Sequence, residues 1–222
     1  AALARQHVSA EGPAERWLSG IETACVSAAG LCAQMLAYAG QGNVKEEHVC
    51  LHQLVDNTAD LVRASTPDNV ELVLSFAESS LPVLGDRTQL QQVVMNMLLN
   101  AVEAISEQQG KVSVRAWVCS AGEIDFGTAV ESPPVTEGPF VGIEVKDTGL
   151  GMDEATIARV FDPFFTTKFT GRGLGLAASL GIVRAHQGGL SVHSEVGQGS
   201  VFSLYLPVAS AMKVTPLARP VE

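Results

Sequence analysis

Phe140-Val141-Gly142-Ile143-Glu144-Val145-Lys146-Asp147-Thr148-Gly149-Leu150-Gly151 is the stretch on which the fold turns. Val141, Ile143 and Val145 alternate with other residues, the period-2 pattern of a strand with one buried face. The strand runs into a carboxylate, Asp147, and then into Gly149-x-Gly151, where missing side chains let the backbone pass close to a neighbour. An acid here, followed by a glycine turn, marks either an ordinary turn or one wall of a ligand site.

Three further motifs flank it. Upstream, Asn96-Met97-Leu98-Leu99-Asn100 lies in an apolar helix that Asp86 caps and that is expected to run to about Gln108. Asn96 and Asn100 are one turn apart and share a face. Among Val93, Val94, Met97, Leu98, Ala101 and Ile105, a carboxamide needs a partner, either nearby backbone or a bound ion. Downstream come Phe161-Asp162-Pro163-Phe164-Phe165 and Gly171-Arg172-Gly173-Leu174-Gly175-Leu176. The phenylalanines read as aromatic residues that bury a loop against the core. The glycine run opens a helix, whose free amides and dipole make a ready anion site. It does not directly follow a strand, so the dinucleotide-binding reading fails, and no P-loop signature occurs.

Around these motifs the chain alternates α and β. Strands are expected at 49–51, 70–77, 83–85, 111–119, 140–147, 190–195 and 200–206, and helices at 54–64, 86–108 and 174–186. Ser120–Pro139, rich in Gly, Pro, Ser and acids, reads as a long solvent-exposed hairpin loop. Strands grouped with few helices imply helices layered on one face of a mixed sheet. Residues 15–41 differ: Trp17, Ile21, Ala24, Ala28, Leu31, Met35 and Tyr38 repeat at alternating spacings of four and three, the pattern of a bundle helix. Such a helix cannot bury its stripe alone, which predicts a homodimer.

The net charge of −10 argues against nucleic acid, whose phosphates need a clustered basic surface. No apolar run approaches the roughly 20 residues of a membrane span. Cys25 and Cys32, one heptad apart, stand about 10.5 Å from each other along a helix, too far for a disulfide. Cys50 and Cys119 are isolated, and no Cys or His spacing suggests zinc. The chain opens on Ala1 without a signal-peptide pattern, and is read as a piece of a longer cytoplasmic protein, with any membrane segment lying upstream.

In this order the four motifs resemble the asparagine, first glycine, phenylalanine and second glycine boxes of the catalytic ATP-binding domain of sensor histidine kinases. That domain belongs to the gyrase, heat-shock chaperone, histidine kinase and MutL superfamily. The resemblance implies an α/β (α+β) two-layer sandwich over residues 43–207. A remnant of the dimerisation and phosphoacceptor bundle, mainly its second helix, would precede it at 1–42, and a linker would follow at 208–222. It implies ATP and Mg²⁺ as cofactors. Asn100 would ligate the metal, and Glu103 either meets its water shell or is a solvated acid. Asp147 would accept the exocyclic amino group of adenine. The nucleotide would also meet Asn96, Gly149, Gly151, Thr167, Lys168, Gly171, Arg172, Gly173, Leu174, Gly175, Leu176 and Ser200, the last through water.

Asn96 and Lys168 are the catalytic candidates. In related ATPases a Glu one turn before the metal-binding Asn activates water; Asn96 cannot accept a proton at neutral pH, which favours transfer to a protein over hydrolysis. A hydrolytic ATPase and a nucleotide-free scaffold remain the competing readings. The expected partners are a response-regulator receiver domain and the chain's own upstream sensor and phosphoacceptor helix. None of the five histidines stands in an acceptor motif, so the acceptor is expected upstream. His186 ends a helix, where a positive charge would be favourable, and like the other four it is expected to be structural or solvated.

Overall fold

Val141, Ile143 and Val145 face inward from β6 (Pro139–Asp147), all fully buried. β6 lies between β4 (Gly110–Ser120) and β8 (Gly199–Pro207), antiparallel to both. The register sets Val114 and Phe202 on either side of Val145, and Ala116 and Leu204 on either side of Ile143. Because side chains alternate along each strand, this aligns one continuous apolar face. β2 (Val70–Phe76) pairs parallel with β4, and β7 (Gly189–Glu195) antiparallel with β8. The computed structural model that gives this arrangement describes residues 17–18, 21, 45–77, 81–124, 129–133, 138–168 and 173–209.

Helices cover the apolar face: α1 (Leu51–Arg63), α2 (Arg87–Ile105), the short α3 (Glu154–Ile157) and α4 (Gly175–Ala185). α2 begins where the sequence requires, with Asp86 Oδ1 accepting the amides of Thr88 at 2.9 Å and Gln89 at 3.1 Å. Leu90, Val93, Val94, Met97, Leu98, Ala101, Val102 and Ile105 form its buried stripe. Full burial of each large side chain stabilises by about 1.5–3 kcal/mol. The helix ends at Ile105, three residues before the expected Gln108, because Ser106 takes a positive φ of 57°. β1 (Glu47–Cys50) and β3 (Pro82–Gly85) make a separate two-stranded ribbon.

The mixed sheet with helices on one face is therefore as expected, but Ser120–Pro139 is not simply an exposed loop. Ala121–Glu123 forms a 3₁₀ turn, and β5 (Ala129–Glu131) pairs with β7, completing the order β2-β4-β6-β8-β7-β5. Ile124 is buried with Cys119, Phe140 and Tyr205 in a second small core. Arg184 Nε bonds Glu131 Oε2 at 2.6 Å, tying α4 to this added edge. Residues 208 and 209, expected to open the tail, still bond to the fold: Val208 bridges Val83, and the Ala209 amide donates to Pro82 O at 2.9 Å.

The expected helix at 15–41 lies outside the described residues apart from Trp17, Leu18 and Ile21, which are helical; Trp17 and Ile21 are exposed. The start of the expected remnant, residues 1–16, and the tail from 210 lie outside them altogether, as do Cys25 and Cys32. Cys50 and Cys119 are free thiols. Among the described residues no helix is long and apolar enough to cross a membrane.

Candidate functional site

Where β6 ends, Asp147 turns a buried carboxylate towards α2 and the glycine loops. It is 1% exposed, and its Oδ1 accepts the amides of Gly149 at 2.8 Å and Ser200 at 3.2 Å. Burial pushes this carboxyl above the ordinary carboxylate range, against the pull of those two amides, the Ser200 hydroxyl and the Lys168 charge. The turn after it closes tightly. Gly151 has φ +66°, and a Cβ there would stand 1.9 Å from Glu195 O, so only glycine fits.

Asp147 lines a cavity of about 430 Å³ between the sheet end, α2, α3 and the segment leading into α4. That size lies within the range of small-molecule sites. Ser200 stands beside Asp147, and Leu150, Met152, Thr156, Val160, Leu176 and Phe202 complete a mainly apolar wall. Polar groups line the same cavity: Asn100 and Glu103 from α2, and Thr166, Thr167 and Lys168 from the loop before α4. Lys168 Nζ bonds Asn100 Oδ1 at 3.1 Å and pairs with the Glu103 carboxylate.

The structure thus brings together ten of the residues singled out from the sequence: Asn100, Asp147, Gly151, Thr167, Lys168, Gly173, Leu174, Gly175, Leu176 and Ser200. Gly149 stands behind Asp147 and acts through its amide. Gly171 and Arg172 lie outside the described residues. Asn96 does not line the cavity. Its Nδ2 donates to Gly175 O at 2.9 Å and Ser179 Oγ at 3.1 Å, bolting α2 to the start of α4. In this geometry its partners are the backbone and a hydroxyl, one of the two readings open from the sequence.

The loop before α4 is closed at its base, where the Phe164 amide donates to Gly173 O at 2.8 Å. Gly173 has φ +64°, and a Cβ there would meet Phe164 C at 2.5 Å. Phe161 packs into the main core, Phe165 lies under the Arg159 guanidinium at 4.4 Å, and Phe164 is exposed with a positive φ of 67°. The phenylalanine box therefore divides between burial and display.

Apart from Leu176, the apolar wall escaped the sequence reading. Met152, Thr156 and Val160 recur at a spacing of four, but α3 is only four residues long, too short to reveal a period. His186 takes the structural one of its two expected roles. It is buried, with Nδ1 bonded to Ile182 O at 2.8 Å and Nε2 accepting the Asp86 amide at 2.9 Å. Accepting at Nε2 requires the neutral ring, so His186 is a strut between α4 and the cap of α2, not a cationic cap.

Among the described residues no three His, Cys, Asp or Glu side chains gather as a metal cage. The donor set of Asn100 and Glu103 nonetheless suits a hard cation that draws its other oxygens from a ligand, and it already holds one positive group, the Lys168 ammonium.

The fold is that of a histidine-kinase ATP-binding domain. The structure superposes on the mycobacterial sensor histidine kinase MprB with a TM-score of 0.59 at 24% identity, covering 78% of this chain and 99% of that one. It superposes on full-length ShkA, solved in complex with AMPPNP, with a TM-score of 0.68 at 22% identity, covering 97% of this chain and 42% of that one. Residues 85–210 match the family described as histidine kinase-, DNA gyrase B-, and HSP90-like ATPase, and the chain belongs to that family. Relatives include the signal transduction histidine-protein kinase AtoS of Escherichia coli K12, 35% identical over 176 residues, and the sensor histidine kinase ZraS of the same strain, 38% identical over 162. These alignments cover 79% and 72% of this chain but 26% and 30% of the relatives, so the chain spans under a third of either.

Proposed function

We propose that this chain is the catalytic core of a cytoplasmic two-component protein-histidine kinase, which binds Mg-ATP and transfers the γ-phosphoryl to a histidine on an upstream helix. One observation carries this reading: a buried carboxylate beside Ser200 lines the same cavity as Asn100, Glu103 and Lys168. Asp147 Oδ1 is occupied by two amides, which leaves Oδ2 to accept the amino group of adenine. An acceptor there welcomes a 6-amino purine and repels a 6-oxo one. The apolar wall takes the faces of the base, and the glycines around Gly173 and Gly175 let backbone approach the phosphates.

Mg²⁺ would be held by Asn100, with Glu103 near its water shell, and when bound it neutralises phosphate charge. Lys168, released from Asn100 and Glu103, turns its ammonium to the phosphate end. With no proton acceptor at position 96 and its amide committed to α4, nothing there activates water, which favours transfer over hydrolysis. Catalysis is then by positioning and charge. The phosphohistidine would pass its phosphoryl to a receiver domain of a response regulator, within a homodimer joined by the heptad helices.

Titration calorimetry with Mg-ADP tests the site. The parent binds, Asn100→Ala loses the magnesium dependence of binding, and equal magnesium dependence in both would remove Asn100 from the metal. For the activity, a longer chain carrying the upstream helix is incubated with γ-labelled ATP. Acid-labile, alkali-stable label on that helix is expected, and its absence would refute kinase action.

A further inference from the structure

Ser194, on β7, does not line the cavity, yet its hydroxyl meets three groups close to Asp147. The Met152 amide donates to its Oγ at 2.8 Å, its Oγ donates to Gly199 O at 2.9 Å, and its Oγ lies 3.0 Å from Ser200 Oγ. A hydroxyl has one proton and two lone pairs. Met152 takes one lone pair, and Gly199 takes the proton. The contact with Ser200 is then satisfied in one way: Ser200 donates, and Ser194 accepts with its second lone pair. Asp147 also draws on the Ser200 hydroxyl, but the contact with hydrogen-bond geometry is the one to Ser194 at 3.0 Å.

We propose that Ser194 is a positioning residue for base specificity: by holding the Ser200 proton inside the protein, it makes Ser200 present lone pairs only. Ser200 is 5% exposed and lines the cavity next to Asp147, so the two form an all-acceptor rim. Such a rim accepts an amino group, directly or through a water, and offers no donor to a carbonyl. The argument rests on the adenine-nucleotide reading and adds a second element to it. The carboxylate supplies the attraction, and Ser194 removes the one nearby hydroxyl that otherwise rotates to welcome a 6-oxo purine such as inosine or guanine. Discrimination that depends on leaving a ligand's polar group unpaired is stronger than discrimination by shape.

The test is calorimetry of the parent, Ser194→Ala and Ser194→Thr with Mg-ADP and with Mg-IDP, which differ at the purine six-position. Freed in Ser194→Ala, the Ser200 hydroxyl donates to the inosine carbonyl, and the ADP-to-IDP affinity ratio falls about tenfold, the effect of one hydrogen bond. Ser194→Thr keeps the hydroxyl and retains the parent ratio. If the alanine variant does not fold, Ser194→Cys, with a sulfur that accepts poorly, serves in its place and lowers the ratio likewise. A variant that weakens both nucleotides by one common factor, leaving the ratio unchanged, shows a purely structural Ser194 and overturns the proposal alone. A folded parent that binds neither nucleotide removes the functional reading and this inference with it.

Discussion

Replacing Asp147 with Asn separates recognition from folding. The amide keeps an Oδ1 to accept the Gly149 and Ser200 N–H groups, so both backbone bonds persist. Its other atom becomes an NH₂, which meets the purine amino group donor to donor. A hydrogen bond to a charged group contributes about 1.5–3 kcal/mol, and at 1.4 kcal/mol per decade its loss weakens Mg-ADP by about 10- to 150-fold. Stability moves the other way. Burial raises the Asp147 pKa in the folded state, so its ionisation costs folding energy. In the parent, that cost is absent below the unfolded carboxylate pKa and grows as pH rises through the raised folded value. Asp147→Asn, which has no charge to bury, should melt no lower than the parent at neutral pH and lose this part of the pH dependence. Binding carries the opposite slope: the parent should lose Mg-ADP affinity on acidification, starting above the ordinary carboxylate range, whereas the variant should not. Calorimetry and thermal melts across pH measure both. A folded Asp147→Asn that binds Mg-ADP as tightly as the parent would refute the assignment of the base.

Lys168→Ala should leave the melting temperature nearly unchanged, because the Lys168–Glu103 pair is 38% and 55% exposed, and exposed pairs contribute about 0–1 kcal/mol. It should weaken ATP more than AMP, and equal losses in calorimetry would place Lys168 away from the outer phosphates. Gly151→Ala forces a Cβ to within 1.9 Å of Glu195 O at a φ of +66°. A destabilisation of at least about 2 kcal/mol is expected in urea denaturation, and an unchanged midpoint would contradict the close approach. His186→Ala strands the Asp86 amide and should cost about 1–3 kcal/mol by the same assay, with Mg-ADP affinity retained once folded.

The strands were readable because one face of β6 and of β8 packs into the main core, which writes a period of two into Val141, Ile143 and Val145 and again into Phe202, Leu204 and Leu206. β5 was not, since three residues carry no period and sit among turn-forming neighbours. Asp147 and Asn100 were legible because each is a polar side chain in apolar surroundings. The direction in which Asn96 turns was not, because its partners lie 79 and 83 residues downstream. The partner of His186 was hidden for the same reason: it accepts an amide 100 residues away, which no local rule about helix ends contains.

The bond from the Phe164 amide to Gly173 O has a consequence for how relatives can differ. It gathers the two ends of the intervening span like a drawstring, so the strands and helices outside receive the same anchorage whatever lies within. Lengthening a loop already pinched at its neck adds little entropic cost, about 0.6 kcal/mol per doubling. Changes of length between the two ends can therefore leave the strands and helices outside with the same anchorage.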